Sequence, residues 1–371
     1  MMEGKRLRLS KIDIHGRNVS YFIRLGERTH TGGEGEIYSV EGEPEILGKI
    51  YSDVSFQNPG IRKFKMEKIR KMMLKPPERR DGLAWPEALL FDGHESPENF
   101  VGFTMRRFSN MEMLENVYTT ETRFELLENI QWENLRRWSS LFMIALNLSI
   151  IMEDICRKGY IIADLSPANI LVDPDMRVAL IDCDSFIIRG ENEYGRIVGN
   201  PEYTAPERLK IKKMGNTDEA SWRFSFAVLI FRILMLGYHP FRGIYPHNPE
   251  YTETENIING NTPYFGGSGS RQYGSPAESA IPEPLKTLFV RAFIYGVKSP
   301  MIRPDFTEWR KNLQYVYELR HEKFYICGKS PNHIFYENSL NICPWCRIEE
   351  EWGSGDPFPP AEGINIIKNG L

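Results

Sequence analysis

Residues 161–186, IIADLSPANILVDPDMRVALIDCDSF, constrain the fold more than any other segment because carboxylates stand beside apolar runs. The segment contains five aspartates and one asparagine. A charge that is buried destabilises a protein unless a metal ion, a lysine or a proton compensates it. Residues 169–172 and 177–182 are typical of two short strands, and the intervening DPDM is a turn signal. The segment therefore predicts a β-hairpin whose carboxylates bind a metal ion, a lysine or a proton.

Three polar residues of this segment are candidate functional residues. In an antiparallel hairpin Asn169, which enters the first strand, would lie near Asp182, which leaves the second. Asp164 is in the preceding loop, five positions before Asn169. An amide oxygen and a carboxylate are ligands that suit Mg²⁺, and a second carboxylate could accept a proton from a nucleophile. A turn or capping role explains any one of them more simply, but the set favours a site.

Composition and charge exclude several classes of protein. The 371 residues are 41% hydrophobic and 26% charged, with a net charge of −4, so nothing global indicates nucleic acid or an anionic membrane. The basic stretch 62–71 is interpreted as a solvated helix face. The first 16 residues lack the apolar run of a signal peptide, and the apolar runs 141–152 and 226–237 are too short to span a bilayer. We therefore expect a cytoplasmic protein with neither a membrane nor a nucleic-acid partner.

The order of strand and helix patterns predicts an α+β protein with a β-rich small lobe and a helical large lobe. Strand patterns run from about residue 19 to 108, interrupted by a helical pattern at 58–74. Residues 243–284 are rich in Gly, Pro, Asn and Ser and are interpreted as a surface insertion. The predicted division is an N-terminal extension (1–18), the small lobe (19–108), the large lobe (109–320), a zinc ribbon (321–350) and a tail (351–371).

Three motifs in the large lobe resemble those of the protein-kinase family. ADLSPANIL resembles the catalytic loop, LIDCD resembles the metal-binding DFG segment, and GNPEYTAPER (199–208) is similar to the end of the activation loop. Their order and spacing match, and the resemblance extends over about residues 20–318. It implies a two-lobed protein-kinase-like fold in which Asp164 is the catalytic base and Asn169 and Asp182 hold Mg²⁺.

The resemblance extends to the small lobe. HTGGEGEIY (30–38) is similar to the Gly-rich loop over the ATP phosphates, although a simple hairpin turn would look alike. Lys49 matches the lysine that contacts the phosphates, and Glu67 its ion-pair partner, unless Glu67 merely pairs with Lys71. Glu207 and Arg303 match a pair that braces the large lobe. The nucleotide-binding residues implied are Gly32, Gly33, Glu34, Gly35, Ile37, Leu47, Lys49, Met105, Phe108 and Leu171.

Several positions depart from the family pattern. His30 replaces the first glycine of the loop, and Ile162 and Ala163 replace the first two residues of the HRD triplet, so control by activation-loop phosphorylation is doubtful. Ser166 replaces a lysine typical of serine/threonine kinases, and the DFG segment reads Asp-Cys-Asp. The set Lys49, Glu67, Asp164, Asn169 and Asp182 is nevertheless complete, which favours an active phosphotransferase.

A second candidate site lies near the end of the sequence. Cys327, His333, Cys343 and Cys346 form the pattern C-x5-H-x9-C-x2-C, which suits tetrahedral Zn²⁺ with no open position. The odd count of five cysteines argues against a disulfide framework, and no thioredoxin-like pattern supports a redox role. A kinase-like domain followed by such a ribbon resembles bacterial kinases associated with tellurite-resistance and stress proteins, so partners from a stress operon are expected.

These observations together predict an ATP- and Mg²⁺-dependent protein kinase that acts on Ser or Thr hydroxyls, including its own, and carries a structural Zn²⁺. Two alternatives remain at this stage. The chain could be a pseudokinase that binds nucleotide or partners, or a small-molecule kinase of the same fold. The protein substrate is not identified by the sequence.

Overall fold

Strands dominate the first third of the chain and are short thereafter. The computed structural model describes residues 2–13, 15–191, 200–211, 218–247, 249–338 and 342–360. Within these residues the strands are β1 Arg6–Ile12, β2 Asn18–Thr31, β3 Gly35–Val40, β4 Glu43–Tyr51, β5 Pro86–Phe91, β6 Phe100–Arg106, β7 Glu112–Met113, β8 Tyr160–Ile161, β9 Ile170–Val172, β10 Val178–Leu180, β11 Ile187–Ile188, β12 Gly243–Ile244, β13 Ser270–Arg271, β14 Phe324–Cys327 and β15 Ser330–Tyr336.

The helices follow the predicted pattern, with one helix early and the rest after residue 113. They are α1 Pro59–Leu74, α2 Leu114–Tyr118, α3 Thr120–Leu126, α4 Trp138–Arg157, α5 Pro206–Lys210, α6 Glu219–Leu234, α7 Glu253–Asn259, α8 Glu283–Val290, α9 Phe306–Glu318, α10 Arg320–Lys323 and α11 Pro344–Trp352. The mixed α and β content of the prediction is therefore present. The chain divides into two compact units, which are described in turn.

The first unit is built on a closed barrel. It comprises residues 1–110, 179–186 and 190–195, and its strands are ordered β1-β2-β3-β4-β6-β5 around the barrel. Helix α1 begins at Pro59, where the Asn58 side chain accepts hydrogen bonds from the backbone N–H groups of Gly60 and Ile61. Buried residues from five of the strands fill the barrel: Leu7, Leu9, Ile23, Leu25, Tyr38, Val40, Ile50, Ala88 and Leu90.

The barrel corrects the prediction that residues 1–18 form an N-terminal extension. β1 pairs with β2 over its whole length and with β5 at Arg8–Ser10. Leu7 is 0% exposed and Leu9 3% exposed, so alternate residues of β1 enter the core. The sequence RLRLSKI carries only this short alternation, and its charged residues on the outer face made it look like an extension.

The second unit is mainly helical and comprises residues 111–178, 187–189 and 196–371. Helix α6 is buried on nearly every side, and α4 packs against both α6 and α9. By length and composition α4 is the one helix among the described residues that could cross a membrane, but 67% of that stretch is buried within the protein. This is a longer apolar helix than the 141–152 run suggested, and its packing is that of a core helix.

Residues 243–284 were predicted to be a surface insertion, but the described part of this segment is folded into the second unit. Thr252 and Glu255 form a capping box at the start of α7. Tyr264 is 1% exposed, and the Thr262 hydroxyl donates a 2.6 Å hydrogen bond to the carbonyl of Pro240. The turn-rich composition therefore marks irregular but packed backbone rather than a loose insertion.

Candidate active site and metal centre

In the first unit, a buried lysine lies between two carboxylates. The Lys49 ammonium, on β4, is 2.6 Å from Oδ1 of Asp182 and 2.7 Å from Oδ1 of Asp184. Asp184 also accepts a 2.8 Å hydrogen bond from the Tyr51 hydroxyl. Lys49 and Asp184 are almost fully buried, whereas the Asp182 side chain is 40% exposed. In this cluster the Asp184 carboxylate is therefore buried in the protein interior, and the Asp182 carboxylate is accessible to solvent.

The pKa shifts of the cluster follow from this arrangement. Burial alone would lower the pKa of Lys49, but the charges of Asp184 and Asp182 raise it above its ordinary value. Burial would raise the pKa of Asp184, yet Lys49 and the Tyr51 hydroxyl hold it below its ordinary value. Burial raises the pKa of Asp182, against the opposing charge of Lys49. Asp184 is thus the carboxylate that Lys49 stabilises as an anion.

Asp182 has a backbone conformation that is unusual for a residue other than glycine. Its φ is 61° and its ψ 35°, in the left-handed region. Its carbonyl accepts hydrogen bonds from both the backbone N–H and the hydroxyl of Ser185. Asp and Asn tolerate this region better than other non-glycine residues, and such conformations concentrate at functional sites. The turn directs Asp182 and Asp184 to the same lysine.

One face of the barrel sheet carries four of the predicted nucleotide-binding residues of this unit. Lys49 pairs directly with Ile37 on β3, and Leu47 pairs directly with Met105 on β6. Directly paired residues share a face, as do residues two apart on one strand. Ile37, Leu47, Lys49 and Met105 therefore lie together on the face opposite Tyr38 and Ile50 of the core. Phe108 follows β6 and lies under the Arg106 guanidinium, 5.9 Å from the ring centroid.

The predicted Gly-rich loop joins β2 to β3 in a tight turn. The Gly32 N–H donates a 2.8 Å hydrogen bond to the Gly35 carbonyl. A Cβ on Gly35 would lie 2.3 Å from the Ile50 carbonyl oxygen, so this position requires glycine. Gly33 has open space around its Cα, and Glu34 is exposed with an oxygen 3.1 Å from the Lys65 ammonium. At Gly32 and Gly33 the loop thus presents backbone without side chains, and Glu34 is the side chain beside them.

The predicted ion pair between Lys49 and Glu67 is not formed in the structure. Glu67 lies on the outer face of α1, 50% exposed, with its nearest cation Lys63 at 3.9 Å. Its alternative partner, Lys71, instead contacts Glu191 at 2.8 Å. The buried face of α1 carries Met66, Lys68, Ile69 and Met72. The helical pattern was predicted well, but the residue that matches the family's glutamate by position points away from the lysine.

In the second unit, Asp164, Asn169 and Leu171 follow one another along the catalytic-loop motif. Burial raises the pKa of Asp164, opposed by a hydrogen bond from the backbone N–H of Asn200. Asn169 ends a short 3₁₀ turn and Leu171 lies in β9, paired with Met113. Ser166 begins that turn, and its side chain accepts a hydrogen bond from the Ala168 N–H. Ser166 therefore caps the 3₁₀ turn. The sequence showed only that Ser166 stands where the family has a lysine and did not predict this capping role.

The end of the motif GNPEYTAPER is held by the predicted brace, which the structure confirms. Gly199 lies outside the described residues. Arg303 forms two 2.7 Å hydrogen bonds to the two carboxylate oxygens of Glu207 and donates two more to the backbone carbonyls of Gly296 and Ala220. Such a bidentate pair with a fully buried guanidinium fixes the loop that follows residue 200.

The three cysteines and the histidine of the predicted ribbon converge. The ligand atoms of Cys327, His333, Cys343 and Cys346 all lie within 4.8 Å of one another. Nδ1 of His333 is 3.4 Å from the Cys346 sulfur and 3.6 Å from that of Cys343. Burial raises the pKa of Cys343. Burial acts in the same direction on Cys327, but hydrogen bonds from the backbone N–H groups of Lys329 and Ser330 and from the neighbouring cysteines together lower its pKa to about 7. A Cys3His set of this size is compatible with Zn²⁺.

A carboxylate that the sequence did not reveal lies behind this site, in a segment that was predicted to be a tail. Asp356 Oδ1 lies 2.7 Å from Nε2 of His333 and accepts a 2.7 Å hydrogen bond from the Phe358 N–H. Phe358 is 0% exposed, and the Arg123 guanidinium donates a 2.6 Å hydrogen bond to the Pro357 carbonyl. Residues 353–360 are therefore packed rather than a tail. Residues 361–371 lie outside the described residues. An Asp twenty-three positions after a histidine carries no recognisable signal.

Comparison with known proteins points to the kinases. No family model matches the chain. It is 25% identical over 353 residues, 90% of its length, to "Protein kinase YegI" of Escherichia coli K12, and 24% identical over 346 residues to the protein of the same name from Escherichia coli O157:H7. Over most of its length, the chain is similar to these protein kinases. It spans about half the length of these curated relatives, 51% and 49% respectively.

A shorter similarity reaches eukaryotic kinases. The chain is 35% identical over 98 residues to "Ribosomal protein S6 kinase alpha-3" of Mus musculus, which is 26% of this chain and 13% of that protein. The segment is too short to carry over the activity of the whole relative, but it agrees with the kinase-like motifs.

Proposed function

We propose that the chain is an ATP- and Mg²⁺-dependent protein kinase that transfers the γ-phosphate to a Ser or Thr hydroxyl, including its own. The observation that carries the proposal is the Lys49 cluster. A buried ammonium next to the exposed carboxylate of Asp182 supplies a cation for phosphate oxygens and a ligand for a divalent metal. The tight Gly32–Gly35 turn supports backbone contacts to the phosphates.

In this proposal the residues act by binding and orientation. Lys49 binds the α- and β-phosphates, and Ile37, Leu47 and Met105 provide an apolar surface for the adenine. Asp182 and Asn169 would hold Mg²⁺, which when bound offsets charge on the β- and γ-phosphates. The carboxylate oxygens of Asp182 and the amide oxygen of Asn169 are hard ligands of the kind that Mg²⁺ prefers.

Asp164 is proposed to hold the acceptor hydroxyl. As the hydroxyl oxygen bonds to the γ-phosphorus and the bond to the β-phosphate oxygen breaks, the hydroxyl proton passes to the Asp164 carboxylate and ADP leaves. Burial raises the pKa of Asp164, which makes the ionised carboxylate a stronger proton acceptor.

Transfer of radiolabelled γ-phosphate tests the proposal. Wild type is expected to label itself or an added protein on acid-stable phosphoserine or phosphothreonine. Asp164→Asn is expected to lose roughly a hundredfold or more in rate while it still binds ATP. Asp173→Asn, a turn residue that pairs with Arg177, is the matched control and should keep the wild-type rate.

Two results would contradict the proposal. Nucleotide binding without any transfer by the wild type would show a pseudokinase, and transfer to small molecules with no labelled protein would show a small-molecule kinase. Equal transfer by wild type and Asp164→Asn would show that Asp164 is not the proton acceptor.

We also propose that the Cys3His cluster binds Zn²⁺ as a structural ion. Four protein ligands leave no position for substrate. Trp345, between two of the cysteines, packs against Trp138 of α4 with their ring centroids 5.8 Å apart. Phe324 of β14 packs against Phe142 of the same helix with the ring centroids 5.7 Å apart. The ion would therefore hold the ribbon together while the ribbon covers α4 within the second unit.

A further inference from the structure

We infer that Asp184, and not Glu67, is the residue that positions Lys49 for nucleotide, with Tyr51 holding Asp184 in place. The inference rests on the proposed function, since it assigns how the phosphate-binding lysine is fixed. Asp184 stands where the family's DFG segment has glycine, a position with no side chain to offer. The family pattern therefore assigns this position no role, although the sequence places Asp184 close to the site.

The contacts of Lys49 support this assignment. Of the two carboxylates on the ammonium, Asp184 is the buried one, with a side chain 2% exposed. Its other oxygen accepts a hydrogen bond from the Tyr51 hydroxyl, two residues along β4 from Lys49. Both Asp184 oxygens are therefore engaged by one strand. A buried carboxylate with two such donors has a fixed geometry, which an exposed side chain lacks.

The charges around Asp184 agree with a permanent anion at this place. The Lys49 ammonium lies 2.7 Å from one Asp184 oxygen, the Tyr51 hydroxyl donates a hydrogen bond to the other, and Lys68 on the buried face of α1 adds a second positive charge. Helix α1 thus turns a lysine to this side of the unit and Glu67 to solvent. The charge that α1 brings near Asp184 is therefore positive, whereas the resemblance implies a negative charge from Glu67 beside Lys49.

The assignment also explains how Asp182 remains available for a metal. If Lys49 depended on Asp182 alone, a cation that bound to Asp182 would compete for the same oxygens. With Asp184 as the permanent partner, Lys49 stays in position when the half-exposed Asp182 accepts a cation. The two aspartates of LIDCD therefore have separate duties, one toward the lysine and one toward the metal.

The test is the affinity for Mg·ATP of purified full-length variants, measured by calorimetry. Asp184→Asn is expected to weaken Mg·ATP binding at least about tenfold, because it removes one partner of a buried pair and frees the ammonium to move. Glu67→Gln is expected to change the affinity less than about twofold, as expected of an exposed charge. Asp92→Asn, an exposed carboxylate that pairs with Lys5, is the matched control and should also stay within about twofold.

A double-mutant cycle separates positioning from a general structural effect. In a Lys49→Ala background Asp184→Asn should change Mg·ATP affinity less than about twofold, because the group it positions is gone. If Asp184→Asn does not fold, Tyr51→Phe replaces it in the cycle, since it removes one hydrogen bond to Asp184 and keeps the ring; a loss of about threefold is expected.

The proposal is overturned if Glu67→Gln weakens binding about tenfold while Asp184→Asn stays within about twofold, or if the loss in Asp184→Asn persists without Lys49. A wild type that binds Mg·ATP without transferring phosphate would contradict the kinase proposal alone. Reaction of Lys49 with an amine reagent, followed by peptide mass spectrometry, gives a readout without nucleotide. Asp184→Asn should speed this reaction and Glu67→Gln should not, and equal rates in both would contradict the assignment.

Discussion

Neighbouring aspartates with the same chemistry acquire different properties from their surroundings. Asp182 and Asp184 are two positions apart and both touch Lys49. Asp184 is buried under the Tyr51 hydroxyl and has a lowered pKa, whereas Asp182 is half-exposed, in a left-handed turn, and has a raised pKa. The sequence places both near the site, but the choice between them depends on burial, which one sequence does not contain.

The pH dependence of transfer tests the role of Asp164 as proton acceptor. The carboxylate must be ionised to accept the hydroxyl proton, and burial raises its pKa. Transfer should therefore fall as the pH drops through this raised pKa, and the acid limb of the kcat profile should lie at a higher pH than that of an ordinary aspartate.

The measurement is kcat for phosphate transfer at saturating ATP from neutral pH downward. ATP affinity over the same range serves as the control, because protonation of the nucleotide would change affinity as well. A kcat that stays constant down to the range of an ordinary aspartate would contradict the role of Asp164.

At the scale of elements, periodic patterns were enough to predict the strands and the helices that matter for the site. β3, β4, β6, α1 and α4 lie where alternation, Gly-rich turns and helical spacing placed them. The prediction was wrong where it depended on which face of a helix or strand is buried. Glu67 is on the predicted helix but on its outer side, and β1 was missed because its two core leucines alternate with charged residues.

The ribbon shows a similar division between ligands and their support. Spacing alone predicted the four side chains that converge, and Cys-x2-Cys, which reports a local turn, is the most specific part of that pattern. Asp356, which contacts His333 from the following segment, could not be predicted, because no local sequence pattern links two residues so far apart in the chain. Its contact with Nε2 leaves Nδ1 to face the sulfurs, as expected when an outer carboxylate selects the metal-binding nitrogen of a histidine.

Substitution of this carboxylate makes a prediction about metal affinity. Asp356→Asn should lower the affinity for Zn²⁺ by roughly 10- to 100-fold and Cys343→Ser should abolish binding, from about one zinc per chain in the wild type. Competition with a chromophoric chelator measures both. Glu337→Gln, which alters an ion pair with Lys323 in the same ribbon, is the control.

Metal removal should also lower the thermal midpoint of unfolding, because the ribbon packs on α4 through Trp345 and Phe324. A chain that contains no zinc as purified, or an Asp356→Asn variant with wild-type affinity, would contradict the account of this site.

For the whole molecule, the motif resemblance predicted the kinase-like character, and the similarity to "Protein kinase YegI" over 90% of the chain supports it. The predicted domain boundaries at the two ends were wrong, since Leu7, Leu9 and Phe358 are buried in cores. Residues 1–18 and 351–360 carry only short or irregular patterns, which did not predict this packing. Boundaries depend on contacts between residues far apart in the chain, such as Arg123 with Pro357, and a single sequence does not show them.

The most direct test of the account is the dependence of ATP affinity on Mg²⁺ in wild type, Lys49→Ala and Asp182→Asn. Asp182→Asn preserves the left-handed turn, since Asn tolerates it as Asp does, and leaves Asp184 with Lys49. We predict that Mg²⁺ tightens ATP binding in the wild type, that Asp182→Asn loses most of this effect, and that Lys49→Ala binds ATP at least about tenfold more weakly with or without Mg²⁺. Unchanged affinity in Lys49→Ala together with a wild-type response to Mg²⁺ in Asp182→Asn would show that the phosphates and their metal bind elsewhere.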